Sequence, residues 1–411
     1  KNPSKTIAFM LASKLTVSNW KKTARNTLEG GSKFDPLTVT TDSQPSPKKT
    51  PLYDLHELWE GKLVPFTGYL LPILYASGII AEHIHTRTKA SLFDVSHMGQ
   101  VKLSGSSDIC GLLEKLVPAD LSELAPYQMT YTFFSTRNGG VLDDLLVTRL
   151  EDSLLLVVNG ARKEEDLKHL HKHIGSDCKI EYLESKALLA LQGPKAVDVL
   201  SQYVPALHDL RFMHVLETKI VGIPCLISRS GYTGEDGFEI SLPENQSQKL
   251  ALKLMENPVV QPAGLGARDS LRLEAGLCLY GQDLTESTSP IAARLGWTIG
   301  KRRRQQGGFL GDKIILPQLD SKPDQIRVGL LINSKIPARE GAEIQSKKGI
   351  TIGSITSGGY SPCLETPIAM GYVASDYSEP GTPLKVIVRN KELDAKVVKL
   401  PFVKQNYFRG Q

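Results

Sequence analysis

The chain has 411 residues, 41% of them hydrophobic and 23% charged, more than one ordinary core holds at about 100–200 residues per domain. Its longest apolar candidate, Leu145 to Val158, is broken by Arg149, Glu151 and Asp152, so no uninterrupted run reaches the roughly 20 residues of a membrane-spanning helix. A net charge of +5 favours anionic partners without separating nucleic acid from an acidic protein or a polyanionic ligand.

Residues 1–50 set Lys1, Lys5, Lys14, Lys21, Lys22, Arg25, Lys33, Lys48 and Lys49 against only Glu29, Asp35 and Asp42, among many hydroxyl residues. This is the composition of a mitochondrial transit peptide, and Met10, Leu11, Leu15, Val17 and Trp20 give it a loosely amphipathic stretch. A disordered tail is the alternative. The SQPSPKKTP segment, Ser43 to Pro51, reads as the linker that ends it. From Leu52 onward, strand-like runs bounded by Gly, Asn, Asp or Pro occur at Val101–Leu103, Thr130–Phe134, Leu145–Thr148, Leu154–Val158, Leu188–Leu191, Ile223–Ser228 and Phe238–Ser241. Helical spacing falls at Ser107–Leu116, Arg162–His173, Lys195–Leu200, Gln246–Met255 and Ala267–Ala275. Mixing without a strict strand-then-helix alternation points to α+β rather than a doubly wound sheet. Beyond Lys301, short strands at Arg327–Asn333, Ala342–Gln345, Ile350–Thr356, Ala369–Val373 and Leu384–Val388 predict a small all-β barrel or jelly roll.

Generic chemical signatures are missing. Gly264-Leu265-Gly266 puts Asp269 where a dinucleotide fingerprint needs its third glycine, and no Walker loop, HExxH pair or GxSxG elbow occurs. The five cysteines, Cys110, Cys178, Cys225, Cys278 and Cys363, are scattered without zinc or redox-loop spacing, and read as reduced, mostly packed thiols. Asp143 and Asp144 follow the Gly139-Gly140 turn and precede the strand LLVT, so their side chains project to opposite faces and one must point inward. A carboxylate turned toward an apolar cleft suits a proton acceptor or a charge-stabilising group, although spacing alone favours two turn caps. SGYTGEDGFE, Ser230 to Glu239, reads as a plain loop or as a turn that stacks Tyr232 on a flat heterocycle beside an inward Glu239. Arg268 in GARDSLRLEAG pairs either with a ligand carboxylate or, more commonly, with Asp269 or Glu274. The run Lys301 to Arg304 is a solvated face or a patch for an acidic partner; without interleaved aromatics, nucleic-acid binding is disfavoured.

Taken together, FDVSHMGQ (Phe93–Gln100), GGVLDDLLV (Gly139–Val147), ALLALQGP (Ala187–Pro194), SGYTGEDGFEIS (Ser230–Ser241), GLGARDSLRLEAGLCLYGQD (Gly264–Asp283), ITSGGYSP (Ile355–Pro362) and PFVKQNYF (Pro401–Phe408) resemble, in order, the aminomethyltransferase family of the glycine cleavage system. The resemblance covers Pro51 to Phe408 and is closest to eukaryotic members in GLCLYGQD and GKRRR. It implies a putting-together of two intertwined mixed α/β lobes with antiparallel sheets over residues 51–300 and a C-terminal β-barrel over 301–411, after a transit segment over 1–50. The implied reaction moves the aminomethyl carbon from the dihydrolipoyl arm of H-protein to tetrahydrofolate, a co-substrate, releasing ammonia and forming 5,10-methylenetetrahydrofolate in the mitochondrial matrix, without metal, membrane or nucleic acid. By the same resemblance Asp144 is catalytic, and folate contacts fall on Met98, Tyr131, Val157, Asn159, Tyr232, Glu239, Arg268 and Tyr407. Glu239 would meet the pterin amino edge and Arg268 the polar groups of the folate, while Leu277 stands where bacterial members carry an aromatic. The run Lys301–Arg304 is then a candidate docking patch for acidic H-protein. Two other readings are a folate domain of a sarcosine or dimethylglycine dehydrogenase, which needs a flavin fingerprint not found here, and a folate-binding iron–sulfur assembly factor, whose cysteine signature is also not found.

Overall fold

The computed structural model describes residues 46–410, so the transit-peptide reading lies, through residue 45, outside the described residues. The end of the expected linker is structured: Lys48–Lys49 pairs in parallel with Tyr69–Leu74, which pairs antiparallel with Lys62–Phe66.

Two larger sheets carry the site. A five-stranded antiparallel sheet runs in the order Met129–Ser135, Val141–Arg149, Ser153–Val158, Gly99–Ser104, Lys179–Tyr182. A six-stranded sheet runs Val215–Ile220, Ile223–Ser228, Gly237–Pro243, Lys186–Gln192, Ala90–Asp94, Val260–Pro262, with only the last pairing parallel. Ala90–Asp94 and Lys186–Gln192 are hydrogen-bonded neighbours, yet the whole five-stranded sheet is built from chain inserted between them. That insertion is what intertwines the two lobes, and the fold is α+β as expected.

The six-stranded sheet is covered on both faces, with Leu189 and Leu191 in one apolar cluster and Leu188 and Ala190 in another. Helix Lys163–Ile174 lays Leu170 and Ile174, four residues apart, onto Leu145, Val147, Leu154 and Leu156 of the five-stranded sheet. Full burial of such side chains stabilises by about 1.5–3 kcal/mol each before entropy is counted. The turn feeding this sheet is tight: a Cβ on Gly140 would lie 1.7 Å from the Glu286 carbonyl oxygen, so only glycine fits there.

The C-terminal unit is a closed barrel, not a jelly roll, in the order Gln325–Ile332, Thr366–Ala374, Thr351–Ser361, Glu343–Gln345, Pro383–Val388, Lys391–Val398, the last pairing back with the first. Ile344, Leu330, Leu384 and Val386 fill its interior. Closure removes the exposed edges that an open sheet of this size presents.

The basic run forms helix Lys301–Gln306, and two of its cations, Arg302 and Arg303, are committed to the segment 114–122 while Arg304 bonds carbonyls of the turn before the helix. Arg302 bonds Glu114 at 2.6 Å and Asp120 at 2.7 Å. Arg303 is buried and donates to the Glu114 carbonyl at 2.5 Å, and Arg304 donates to Ile299 and Gly296 carbonyls at 2.9 and 2.7 Å. Lys301 stands exposed. The run is therefore chiefly a strut between this helix and the segment 114–122. Arg303→Ala is expected to destabilise the protein by about 1–3 kcal/mol, through lost packing and an orphaned carbonyl, and Lys301→Ala by under about 0.5 kcal/mol. Chemical denaturation of the two variants side by side measures the difference.

Candidate active site

Strand Val141–Arg149 does not start after the Asp pair but runs through it, so the pair sits inside the ladder rather than at its entrance. Pleating sends Asp143 to the same face as its partner Phe134 and as Leu145 and Val147, under helix Lys163–Ile174. Asp144 goes to the other face with its partner Phe133, beside Tyr131 and Cys278. The sheet thus separates two adjacent carboxylates by its own thickness.

On that second face Asp144 is held from both sides. The Tyr131 hydroxyl donates to one oxygen at 2.9 Å and the Asn159 amide to the other at 2.8 Å. Asn159 follows strand Ser153–Val158 and also donates to the Asp144 carbonyl at 3.1 Å and, through the same amide, to Asp143 at 2.9 Å. Burial pushes the Asp144 carboxyl up to about 7, and the nearby Asp143 charge adds to the rise, against the two hydrogen bonds that favour the anion. A carboxylate poised near neutrality is suited to accept a proton or to steady a cation. Tyr131 in turn stacks on Trp297, with centroids 5.7 Å apart and planes 21° from parallel, and Trp297 is 65% exposed.

A second group lies around helix Leu265–Glu274. The Arg268 guanidinium sits over the Tyr232 ring, 4.8 Å from its centroid, and its Nη1 is buried with no hydrogen-bond partner. The intramolecular pairs open to it in the sequence are not made: Asp269 bonds Arg272 at 2.8 Å, and Glu274 bonds Arg87 and His83, each at 2.9 Å. Tyr232 donates its hydroxyl to the Cys278 carbonyl. Glu239, on the buried strand Gly237–Pro243, receives Ser230 Oγ at 3.2 Å; burial raises its carboxyl above the usual range and the Arg268 charge opposes that. Met98 and Val157 pack together with Phe93, Val95 and Ala267 on the wall beneath this helix, and a small cleft lined by Pro72, Phe93, Asp94, Gly264 and Arg268 opens beside it.

Tyr232 links the groups: besides burial and the Arg272 charge, the charges of both Asp144 and Arg268 act on its hydroxyl. Tyr407 is placed differently: its ring stacks on Phe212 at 4.1 Å, among Arg87, Arg409 and Glu235. Its neighbour Asn406 donates to the Gly234 carbonyl at 2.8 Å, which lays the C-terminal segment along the Gly-rich loop. His83, Glu274 and Cys363 bring potential metal-ligand atoms within 4.8 Å of one another, but Glu274 is already engaged by the Arg87 guanidinium, Ser361 and the Cys363 N–H.

Sequence reasoning missed Trp297, His97 and Asp166. Trp297 carries no periodic signal. His97, inside the quoted string FDVSHMGQ, is buried with an unpartnered Nδ1, and burial together with the Arg268 charge lowers it to about 3, so it is neutral.

Known families match nearly the whole described chain. Residues 52–303 match the GCVT N-terminal domain and residues 326–404 the glycine cleavage T-protein C-terminal barrel domain. A mitochondrial aminomethyltransferase of Solanum tuberosum is 46% identical over 374 residues, covering 88% of this chain and 91% of the relative. The mitochondrial aminomethyltransferase of Canis lupus familiaris is 47% identical over 370 residues, with the same coverage. The crystal structure of glycine cleavage system aminomethyltransferase T from Bartonella henselae superposes with a TM-score of 0.84 at 42% identity, covering 88% of this chain and 100% of that one. These matches favour this family over the dehydrogenase-type and iron–sulfur assembly readings, and the chain belongs to the aminomethyltransferase (glycine cleavage T-protein) family.

Proposed function

We propose that this protein takes the aminomethyl carbon from the dihydrolipoyl arm of H-protein and passes it to tetrahydrofolate, releasing ammonia and forming 5,10-methylenetetrahydrofolate, in the mitochondrial matrix and without a metal. The observation that carries the reading is the Asp144 carboxyl, clamped by Tyr131 and Asn159 and turned away from the sheet's own core. Transfer requires a protonated leaving amine, a folate nitrogen about 3–3.5 Å from the carbon, and negative charge near the cation that develops there. Asp144 supplies the charge; Tyr131 and Asn159 fix where it stands. General base and electrostatic roles both call for the ionised form.

The residues fit a folate. The unpartnered Arg268 Nη1 is a buried donor awaiting an acceptor, Glu239 is a buried acceptor with spare lone pairs, and Tyr232 presents a ring under Arg268 and within reach of the Asp144 charge. Met98 and Val157 supply an apolar wall, and Tyr407 belongs to the proposed contacts by way of the C-terminal segment on the Gly-rich loop. The proposed division of the chain is a transit segment over 1–50, a folate-binding unit over 51–300 and a barrel unit over 301–411.

The test is ammonia release by the purified protein, expected only when tetrahydrofolate and aminomethyl-loaded H-protein are both present; release independent of either contradicts the reading. Because the anion is the working form and burial holds Asp144 up to about 7, kcat/KM for loaded H-protein is expected to rise with pH through about 7 and then level. A profile flat from about pH 5.5 to 8 would remove Asp144 from the rate-determining charge change.

A further inference from the structure

Behind Asp144, on the opposite face of the sheet, lies a further buried acid, Asp166. Helix Lys163–Ile174 turns its inward stripe, Asp166, Leu170 and Ile174, onto the five-stranded sheet. Leu170 and Ile174 meet an apolar core there. Asp166 is 0% exposed, and neither of its carboxyl oxygens receives an N–H or O–H from any described residue. Its carboxyl stands beside that of Asp143, likewise 0% exposed, close enough for a hydrogen bond between the two.

Two carboxyl groups form such a bond only if one of them carries a proton. The donors around the pair decide which. Asp143 already accepts from the Asn159 backbone N–H at 3.2 Å and from the Asn159 amide at 2.9 Å, so its oxygens act as acceptors. Asp166 has no donor to compensate a charge, and Arg162, one helical turn before it and the cation whose charge reaches it, pairs with Glu286 at 2.8 Å and lies over the Tyr280 ring. An uncompensated buried carboxylate costs several kcal/mol, whereas a neutral acid that donates its proton is satisfied.

We propose that Asp166 is a positioning residue: a buried neutral carboxylic acid that donates to Asp143, keeps Asp143 an anionic acceptor for Asn159, and through Asn159 holds the Asp144 carboxylate in place. This rests on reading Asp144 as the working carboxylate. The resulting line runs Asp166, Asp143, Asn159, Asp144, Tyr131, crossing the sheet from its helix-covered face to the site. Burial, with the Asp143 charge next, raises Asp166 to about 10, which agrees with the protonated form across the neutral range. The charged and titratable groups around the pair are Arg162 and Glu165 on the helix, Tyr280 beyond it, and Asp144 through the strand; Tyr131, Tyr232 and Cys278 face Asp144 from the other side.

Infrared difference spectroscopy and the pH profile of the full-length enzyme test this. A protonated-carboxyl C=O band is expected to persist at about pH 8.5, above the Asp144 titration, and to vanish in Asp166→Asn. Absence of the band in the unaltered protein, or its survival in the variant, overturns the proposal whether or not Asp144 is catalytic. In turnover, Asp166→Asn still donates to Asp143 and is expected to stay within about threefold in kcat with its acid limb unmoved. Asp166→Leu removes the donor, so Asp143 takes up a proton, the like charge behind Asp144 disappears, and the acid limb moves down by about one pH unit while kcat falls roughly tenfold. Equal behaviour of the two variants, or a loss of thermal stability in Asp166→Leu with an unmoved limb, contradicts the positioning role. Normal turnover by Asp144→Asn instead removes the reading of Asp144 and leaves the infrared result standing.

Discussion

Asp144→Asn is expected to turn over about 10²-fold more slowly, roughly 2.7 kcal/mol of transition-state stabilisation, while its Kd for tetrahydrofolate changes by less than about threefold. The amide is nearly isosteric, so the wall and the Arg268 side of the site are untouched. What is lost is the negative charge beside the migrating carbon. Orientation suffers as well: Tyr131 and Asn159 each donate to Asp144, and an amide can satisfy only one of them as acceptor while turning its own NH2 toward the other. Rapid-quench turnover and equilibrium folate binding on the same preparation separate the two effects, and equal losses in both would mean that the residue serves binding rather than chemistry.

The largest stability effect is expected at Asp283. Its carboxylate receives Arg272 Nη1 at 2.9 Å, the Leu279 N–H at 2.9 Å and Ser357 Oγ at 2.8 Å, and Arg272 Nη2 also reaches Ser357 Oγ at 2.9 Å. Asp283 is 0% exposed and Arg272 1%. This knot ties helix Leu265–Glu274, which carries Arg268, to the barrel strand Thr351–Ser361. Asp283→Ala strips the buried Arg272 guanidinium of its buried counter-ion, leaving only the half-exposed Asp269, and is expected to destabilise by about 3–5 kcal/mol. Replacing both partners, Arg272→Met with Asp283→Leu, is expected to be less damaging than the single change, because no charge is then left unpaired. Denaturation midpoints of the three proteins check this; a double variant as unstable as the sum of its parts would show that the pair's worth lies in its contacts to the barrel and not in its charge balance.

Much of this arrangement was legible in the sequence. Apolar runs bounded by Gly, Asn, Asp or Pro marked Gly99–Ser104, Ser153–Val158 and Gly237–Pro243 within two residues, and Gly and Pro spacing marked most of the barrel strands. Strand Val141–Arg149 was read too short because carboxylates are depleted in strands, and here both are tolerated only through Asn159, Tyr131 and Asp166. Val215–Ile220 and Lys391–Val398 escaped notice because Glu217 and Lys219, or Glu392, Asp394 and Lys396, occupy their outward positions. The pleat told that Asp143 and Asp144 part company; which of them faces the site came only from the family resemblance and is set physically by helix Lys163–Ile174 covering the other face. In KEEDLKHLHKH the charges suggest a solvated face, yet the spacing of Asp166 to Leu170 and Ile174 puts that one acid on the inward stripe. The expectation for Arg268 shows the limit from the other direction: pairing statistics favoured Asp269 or Glu274, but Asp269 is taken by Arg272 one turn further along the same helix, and Glu274 by Arg87 and His83, which only tertiary folding brings near.

The central claim is that a single carboxyl, Asp144, faces the reacting atoms. A crystal structure of the protein with bound tetrahydrofolate addresses it most directly. The account predicts the pteridine beside Tyr232, its polar edge toward Glu239 and Arg268, and its reactive nitrogens on the Asp144 face of the sheet, with Asp143 still turned to Asp166. A folate seated elsewhere, or one approached by Asp143 while Asp144 points away, would contradict it.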